Sequence, residues 1–274
     1  MKIKVEKLNF AYKNIASKKQ HALCDINLTI DDHEFIAIIG PTGSGKTTLA
    51  QHIAGLLQPD SGAVWIDNIN INDEKKYFAA IRKHIGLVFQ FPESQLFEET
   101  VFSDVAFGPR NLGLSVQEVA NRVQRSLMQV GLNFHEIRTR SPHHLSEGEK
   151  RRVAIAGVLA MEPQVIALDE PTACLDPKSV AAIENILQGL YDAGKTVILI
   201  SHNIDFVFKL AQRIIIIYDG KIAFDNTKQK LLEQEDLIES VGLHQPRIHT
   251  VLKRKNISIG KERKAIFSVN DILS

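Results

Sequence analysis

Cysteine, tryptophan and long apolar runs are scarce in this chain of 274 residues. Its two cysteines, Cys24 and Cys174, are far apart and match no metal-ligand spacing, which argues against a disulfide scaffold and favours a reducing compartment. Apolar runs such as residues 214–218 are far too short to cross a bilayer, and residues 1–6 lack the apolar core of a signal peptide. The formal net charge of +1 provides no overall field for binding nucleic acid.

Apolar runs alternate with helical patterns along most of the chain. The runs expected to be strands buried on both faces of a parallel sheet are residues 35–39, 86–89, 165–168, 196–200 and 214–217. Residues 3–5, 23–30 and 62–71 show the alternation of half-buried strands, with a polar loop predicted at residues 13–20. The chain is therefore predicted to have an α/β core.

The segment from about residue 91 to residue 161 contains no apolar strand run. Capping boxes that predict helix starts are Ser115 with Glu118 and Ser146 with Glu149. Gly131 predicts the end of the first of these helices. We therefore predict a main domain over residues 1–240 with a helical subdomain at 91–161, followed by a C-terminal appendage at 241–274.

Residues 40–48 contain a complete phosphate-binding loop: Gly40, Pro41, Thr42, Gly43, Ser44, Gly45, Lys46, Thr47 and then Thr48. Its glycines let backbone N–H groups converge on phosphate oxygens. Lys46 supplies a positive charge for the β and γ phosphates, and the Thr47 hydroxyl is placed to bind Mg²⁺. A glycine-rich turn that binds nothing is the plainer interpretation. The preceding strand and a helix expected over residues 47–57 favour a nucleoside triphosphate site instead.

The apolar run at residues 165–168 ends in two acids, Asp169 and Glu170. Ligands bind at the carboxyl ends of strands in open α/β sheets, so we expect these acids beside the phosphate loop. Asp169 would hold Mg²⁺, and Glu170 would act as general base on the attacking water. Many strands end in solvated acids, so this pattern alone is weak evidence for a metal or catalytic site. The phosphate loop upstream makes it strong evidence.

Residues 145–152 read Leu-Ser-Glu-Gly-Glu-Lys-Arg-Arg and resemble the signature motif of the ATP-binding cassette (ABC) family, whose usual form is Leu-Ser-Gly-Gly-Gln. Other family elements follow the expected order over residues 1–235. The matching positions are Tyr12 for the aromatic that stacks on adenine, Gln90 for the Q-loop, Asp176 for the D-loop and His202 for the switch histidine. The resemblance implies a P-loop ATPase core with an antiparallel β subdomain and the helical insert.

The resemblance also implies how these residues act. Two cassettes would sandwich two ATP molecules, so that Ser146 and Gly148 contact a γ-phosphate held by the partner cassette. ATP and Mg²⁺ are the implied cofactors. By resemblance, the metal ligands are Thr47, Gln90 and Asp169, and the catalytic residues are Glu170, His202 and Gln90.

Each match has a plainer interpretation. Tyr12 fits an ordinary half-buried strand aromatic, and Gln90 fits a strand end in solvent. His202 fits a cap for the helix that follows it. The signature itself fits a capping box of Ser146 with Glu149 and nothing more. The order of the elements along the chain favours the family.

Glu147, Glu149 and Cys174 depart from the family pattern of glycine, glutamine and a small residue at these positions. A carboxylate a few ångströms from a polyanion costs on the order of 1 kcal/mol or more. The Glu147 departure therefore predicts a weakened ATP site in the partner. The alternative is that Glu147 points outward and pairs with Lys150 or Arg151.

Residues 91–101 and 104–109 resemble the energy-coupling factor (ECF) ATPases, which drive vitamin and metal-ion uptake in prokaryotes. Residues 140–142 and 151–163 resemble the second of their two paired ATPases. The implied partners are a second ABC ATPase, in a heterodimer, a transmembrane coupling subunit and a substrate-binding membrane subunit, without nucleic acid.

We therefore expect a peripheral protein on the cytoplasmic face of the cell membrane. Leu96, Phe97 and Phe107 are the expected apolar anchors of a groove that receives a helix of the transmembrane subunit. The cassette of another ABC importer is the alternative. A soluble ABC protein for DNA repair or translation is disfavoured, because such proteins usually carry a long coiled-coil insert or two cassettes in one chain.

Overall fold

The computed structural model describes residues 1–13, 19–73, 81 and 83–247. Two sheets organise this part of the chain, and their strands are β1 Ile3–Lys13, β2 Lys19–Ile30, β3 Phe35–Ile39, β4 Ser61–Ile66, β5 Ile69–Asn70, β6 Ile85–Val88, β7 Val165–Asp169, β8 Thr196–Ile200, β9 Arg213–Tyr218 and β10 Lys221–Thr227. The smaller sheet is antiparallel, in the order β2-β1-β4-β5. The larger sheet has the order β10-β9-β3-β8-β7-β6 and is parallel except at β10.

Helices cover the larger sheet and fill the insert. They are α1 Lys46–Ile53, α2 Val101–Asn111, α3 Val116–Gln129, α4 Phe134–Ile137, α5 Glu147–Leu159, α6 Pro177–Asp192, α7 Ile204–Leu210, α8 Lys228–Leu232 and α9 Glu235–Ser240. Short 3-10 turns lie at Pro92–Gln95 and Pro142–His144. Residues 91–161 contain no strand, which agrees with the predicted helical insert. No helix in the described ranges is long and apolar enough to cross a membrane.

The larger sheet separates two hydrophobic cores, and strand pleating explains how. In β3, Phe35 and Ile39 pack into the core shared with most of the helices, whereas Ile36 and Ile38 pack into the core shared with the antiparallel sheet and α1. Successive side chains on a strand point to opposite faces. An apolar run without polar interruption is therefore what a strand between two cores requires.

The first hairpin is longer than its alternating pattern predicted. Its two strands extend over 3–13 and 19–30, and the pairing register shifts near Leu8 and Phe10. Lys7 and Asp25 also have left-handed φ angles of 46° and 51°. Such irregularities break the two-residue alternation, so sequence periodicity ends before the strand does. Of the predicted loop at 13–20, residues 14–18 lie outside the described residues.

Helix α1 is shorter than the predicted stretch of 47–57, because it ends at Ile53. Gly55 takes a positive φ of 64°, and the Leu56 N–H reaches back to the Gln51 carbonyl at 2.8 Å, which closes the helix end. The predicted stop at Gly131 is confirmed, because α3 ends at Gln129. The division of the chain at residue 240 stays a prediction, and residues 248–274 of the predicted appendage lie outside the described residues.

Of the two predicted capping boxes, one is complete. At the start of α5, Ser146 accepts from the Glu149 N–H and the Glu149 side chain accepts from the Ser146 N–H. At the start of α3, Ser115 accepts from the Glu118 N–H, but the Glu118 carboxylate accepts from Arg122 at 2.9 Å instead of completing the box. An arginine one turn further along the helix offers that carboxylate a charged partner.

Candidate functional site

The phosphate loop joins the end of β3 to the start of α1, at the carboxyl edge of the larger sheet. Gly40 opens the loop with a φ of 148°, and a β-carbon built there would overlap the carbonyl oxygen of Ile217 on the neighbouring strand β9. Only glycine fits this close approach. Pro41, Thr42, Gly43 and Ser44 line an open depression of about 270 Å³ beside it, together with Tyr218 and Asp219.

Lys46 anchors the loop from inside. Its ammonium group donates to the carbonyl oxygens of Gly40 at 2.9 Å and Pro41 at 2.7 Å. Burial lowers the pKa of Lys46, and the carboxylates of Glu170 and Asp169 offset part of that effect. Burial makes the charged form of Lys46 less favourable, and a nearby phosphate would offset that cost. The phosphate and the lysine would therefore stabilise each other.

Ser44 contributes an unsatisfied hydroxyl to the same loop. Its Oγ is buried and has no hydrogen-bond partner among the described residues. Buried polar atoms in native proteins are nearly always paired, and an orphan one marks a place for a ligand or water. Inside a loop rich in backbone N–H groups, a phosphate oxygen is a suitable partner for this hydroxyl.

Asp169 lies against the loop as the sequence predicted. The Thr47 hydroxyl donates to Asp169 Oδ2 at 2.5 Å. Burial raises the pKa of Asp169, the Thr47 hydrogen bond lowers it, and the neighbouring Glu170 carboxylate adds to the rise. A hydroxyl and a carboxylate oxygen in contact are hard oxygen ligands of the kind that Mg²⁺ prefers, so this donor set fits the metal that the sequence implied.

Glu170 follows directly and contacts the predicted switch histidine. Its Oε1 accepts from the His202 backbone N–H at 2.8 Å and lies 2.7 Å from His202 Nδ1, and its Oε2 accepts from Ser201 at 3.2 Å. Because an ionised carboxylate only accepts, Nδ1 carries the proton in this contact. The side chain of His202 is 71% exposed. The cap of α7 is Asn203 rather than His202, so the capping interpretation of this histidine is wrong.

Tyr12 and Gln90 lie on two other elements of the fold. The Tyr12 hydroxyl lies 3.2 Å from Thr48 Oγ1 just after the phosphate loop, and the residue is 41% exposed. An exposed aromatic face so close to a phosphate loop is available for stacking on a flat base. Gln90 is exposed beyond the end of β6, the strand that pairs in parallel with β7, which carries Asp169.

A second group of predicted residues lies apart from the phosphate loop. Ser146 and Gly148 at the start of α5 share a polar cleft of about 470 Å³ with Asp176 and Ser179 at the start of α6, and no phosphate-loop residue lines it. Asp176 caps α6, accepting from the backbone N–H groups of Lys178 and Ser179. The hydrogen bonds from Ser179 lower the pKa of Asp176. Two helix N-termini therefore face one cleft, and their N–H groups are capped by Ser146 and by Asp176.

The three residues that depart from the family pattern have different surroundings. Glu147 is 62% exposed and pairs with Lys150 at 2.7 Å, which is the outward arrangement. Glu149 accepts from both the N–H and the hydroxyl of Ser146 at 2.9 Å, and the backbone hydrogen bond lowers its pKa. Cys174 has a left-handed φ of 61°, a conformation that a glycine adopts without strain. The carboxylate nearest the signature serine is therefore Glu149.

Arg151 was missed as a functional residue, although it was considered as a partner for Glu147. It is buried and pairs with Glu93, which lies in the 3-10 turn after Gln90. Helical spacing was the signal that could have found it, because Arg151 lies one turn before the buried Ile155 of α5. An arginine on the apolar face of a helix needs a buried partner.

Comparisons with known proteins match most of the chain. The ABC transporter family matches residues 23–173. An energy-coupling factor transporter ATP-binding protein EcfA2 from Clostridium tetani is 47% identical over 265 residues, which are 95% of this chain and 92% of that protein. Among solved structures, cbiO1 from Clostridium perfringens, described as part of the ABC transporter complex cbiONQ, superposes with a TM-score of 0.77 at 38% identity, covering 92% of this chain and 98% of that one.

A second solved structure shows a related cassette with its products. The ATP-binding cassette MJ0796, in a dimeric post-hydrolysis state bound to ADP and phosphate, superposes with a TM-score of 0.74 at 33% identity. The superposition covers 82% of this chain and 98% of that chain. The similarity therefore extends over nearly the full length of that cassette.

Proposed function

We infer the function of this chain from one premise: it belongs to the ABC transporter family, as an ATP-binding protein of the energy-coupling factor type. It is an ATPase of an importer that takes up vitamins or metal ions. The observation that carries this assignment is a convergence of side chains at the carboxyl edge of the sheet. Thr47 of the phosphate loop contacts Asp169, and the next residue, Glu170, contacts His202.

ATP binding uses the loop and its neighbours. Backbone N–H groups of residues 42–48 and the ammonium group of Lys46 would hold the phosphates, and the exposed Tyr12 would stack on adenine. Mg²⁺, held by Thr47, Asp169 and Gln90, would neutralise phosphate charge. The unpaired Ser44 hydroxyl gives the loop one more donor for a phosphate oxygen.

Hydrolysis uses Glu170 as the general base. Its carboxylate would take a proton from water while the water oxygen bonds to the γ-phosphorus and the bond to the bridging oxygen of ADP breaks. His202 Nδ1 already donates to this carboxylate, so the other ring nitrogen, Nε2, is the one left for the γ-phosphate. The contact couples the positions of the two side chains, because a movement of the His202 ring would displace the Glu170 carboxylate.

The signature and the D-loop would act on a partner's nucleotide. Ser146, Gly148 and Asp176 lie around a cleft that the phosphate loop of the same chain does not reach, which supports their use in a dimer of cassettes. The partner is a second ABC ATPase, giving a heterodimer. The positive ends of two helix dipoles meet at this cleft, which makes it suited to the γ-phosphate that the partner holds.

The insert would dock the transmembrane coupling subunit. Phe97 and Phe107 are 61% and 46% exposed and stack edge to face at 5.1 Å between ring centroids, with the partly buried Leu96 nearby in sequence. Exposed aromatic pairs of this kind are suited to an amphipathic helix. The chain would thus work as a peripheral subunit on the cytoplasmic face of the membrane, beside a substrate-binding membrane subunit.

A direct test compares ATP hydrolysis by the purified chain alone with hydrolysis after co-expression with a paralogous ABC ATPase. We expect the isolated chain to hydrolyse ATP poorly and the pair to be far faster, because each signature completes the other's site. The control is a pair whose partner lacks the signature serine, which should lower the rate at the site of this chain. Full activity from a preparation that sediments as a monomer at the assay concentration would reject the proposal.

A further inference from the structure

Arg151 has the largest fully buried side chain in the described part of the structure, at 1% exposure. Its Nε and Nη2 donate to the two carboxylate oxygens of Glu93 at 2.7 and 3.0 Å, a bidentate ion pair. Its Nη1 donates to the carbonyl oxygen of Pro171 at 2.9 Å, with a longer contact to that of Glu170 at 3.4 Å. Nη2 also reaches the Ala173 carbonyl at 3.4 Å. One guanidinium thus connects three separate segments.

The connected segments have distinct positions in the site. Glu93 lies in the 3-10 turn that leads from Gln90 to the exposed Phe97. Residues 170–173 carry the general base and lead into the D-loop. Arg151 itself belongs to α5, whose first residues form the signature. The buried ion pair is therefore a meeting point of the membrane-facing segment, the catalytic loop and the signature helix.

Two residues that Arg151 contacts have a strained backbone conformation. Phe91 and Glu170 have left-handed φ angles of 55° and 48°, which residues with side chains adopt only where their surroundings hold them. The guanidinium carbon of Arg151 lies 5.8 Å from the centroid of the Phe91 ring, and Nη1 reaches the Glu170 carbonyl. The same cation thus supports both strained residues.

A bidentate ion pair also makes the position of the arginine depend closely on the position of the carboxylate. The planar guanidinium fits a carboxylate in one orientation, so a shift of Glu93 rotates or translates the whole fork. Nη1 and Nη2 then move relative to the carbonyls of residues 170–173. Lysine in this place would act as a point charge and would lack the fixed geometry.

We propose that Arg151 is a positioning residue that, through Glu93, couples the membrane-facing segment 91–97 to the loop that carries Glu170. Docking of a membrane subunit against Phe97 displaces the turn that holds Glu93, and the guanidinium carries that displacement to the carbonyls beside the base. The inference rests on the proposed function, because it takes segment 91–97 as part of the docking surface.

The test measures ATP turnover at this chain's site in the heterodimer, with the partner's own site disabled, both with the membrane subunits in lipid nanodiscs and without them. The informative variant is Glu93→Gln, which keeps the side-chain shape but removes the charge that holds the guanidinium. The matched control is Glu99→Gln, the same chemical change at an exposed residue two positions after segment 91–97. The quantity compared is the ratio of turnover with the membrane subunits to turnover without them.

In Glu93→Gln we expect this ratio to fall at least fivefold, towards one, while the KM for ATP stays within twofold. Glu99→Gln should retain the unmodified ratio. Hydrogen exchange gives a second measurement: docking should alter the protection of amides 170–176 in the unmodified chain and leave it unaltered in Glu93→Gln. Glu93→Asp, which keeps the charge but shortens its reach, takes the place of Glu93→Gln if that variant does not fold.

A ratio within twofold of the unmodified value in the Glu93 variant would overturn the coupling role and leave the pair as a purely structural contact. A ratio of one in the unmodified chain would overturn the docking proposal together with this one. The two failures are distinguishable, because only the second is seen without any substitution.

Discussion

Ser179 packs against the bare α-carbon of Gly148, so that a β-carbon built on the glycine would overlap Ser179 Oγ and lie 3.0 Å from Ser179 Cβ. The glycine belongs to the signature at the start of α5, and the serine belongs to the first turn of α6 after the D-loop. The two helix N-termini are therefore held together at a point where no side chain fits between them. Gly148 has a packing role that is separate from its proposed approach to a phosphate.

Gly148→Ala is expected to destabilise the chain by about 1–3 kcal/mol, because an added methyl group would overpack the contact with Ser179. Adding the same alanine to a Ser179→Gly background should cost much less, since the overlapping atoms are absent there. Chemical denaturation of the four proteins in this double-mutant cycle measures the coupling. Equal costs of Gly148→Ala in the two backgrounds would contradict the packing role.

Glu149→Gln is expected to increase turnover at the partner's site about two- to tenfold. The Ser146 hydroxyl donates a hydrogen bond to the Glu149 carboxylate, and the lowered pKa of Glu149 keeps that carboxylate charged. The hydroxyl is therefore engaged by Glu149 and is not free to donate to a phosphate. A neutral amide oxygen holds a hydroxyl about half as strongly. The assay is a heterodimer in which Lys46→Ala disables this chain's own site.

Glu147→Gly is the matched comparison for Glu149→Gln. Because Glu147 is exposed and pairs with Lys150, its removal should leave ATP affinity and turnover at the partner's site within twofold. A large increase with Glu147→Gly and no change with Glu149→Gln would reverse the assignment, and would show that Glu147 repels the partner's nucleotide.

Glu170→Gln is expected to retain ATP binding and to lose about 10²-fold or more of turnover, as a general base should. The variant keeps the shape of the side chain, and its amide oxygen still accepts from the His202 backbone N–H. Lys46→Ala should instead weaken nucleotide binding itself, because it removes the partly buried cation of the phosphate loop. Equilibrium binding and steady-state hydrolysis of the assembled heterodimer separate the two effects. Near-normal turnover by Glu170→Gln would reject the base assignment.

Substituting Leu96 and Phe97 by serine should release the chain from the membrane complex while nucleotide binding survives. Phe97 contributes its exposed ring to the aromatic pair with Phe107, and apolar anchors of this kind dominate helix-in-groove binding. Recovery of the transmembrane subunit in a detergent pull-down measures release. The exposed Val116 on α3, changed to serine, is the control for loss of an apolar side chain elsewhere on the insert. Equal recovery with the double variant would place the docking surface elsewhere.

His52 should make folding stability fall in mild acid. The ring is fully buried, its Nδ1 donates to the Thr48 carbonyl at 2.8 Å, and burial lowers its pKa despite nearby carbonyl groups and Asp60. Its pKa in the unfolded chain is about 6.5. Below about pH 6.5, His52 therefore binds a proton in the unfolded chain but not in the folded one. The free energy of unfolding consequently decreases as the pH falls below that value.

The slope from one such group reaches at most about 1.4 kcal/mol per pH unit. We expect His52→Gln, which does not titrate, to reduce the pH dependence of the unfolding free energy between about pH 7 and pH 5. Urea denaturation at several pH values measures this pH dependence. The control is the same substitution at the exposed His84. An unchanged slope in His52→Gln would show that other groups dominate the acid response.

Local signals in the sequence were sufficient for much of this fold. Apolar runs predicted the parallel strands, and the glycine loop between β3 and α1 predicted the phosphate site, because both depend on neighbouring residues alone. Helix starts at Ser115 and Ser146 were predicted for the same reason. The irregular hairpin at Lys7 and Asp25 was not, since left-handed bulges in a strand have no periodic signature.

Other features were decided only by tertiary structure. The partner of Arg151 is Glu93, which lies 58 residues earlier in the chain, and the neighbour that makes Gly148 necessary is Ser179 on another helix. The sequence placed a carboxylate at both 147 and 149, but the helix determined that the first points to Lys150 and the second to Ser146. Sequence alone determines the chemical groups and their local geometry. The distances between segments arise when those segments pack, so the couplings that depend on such distances belong to the folded structure.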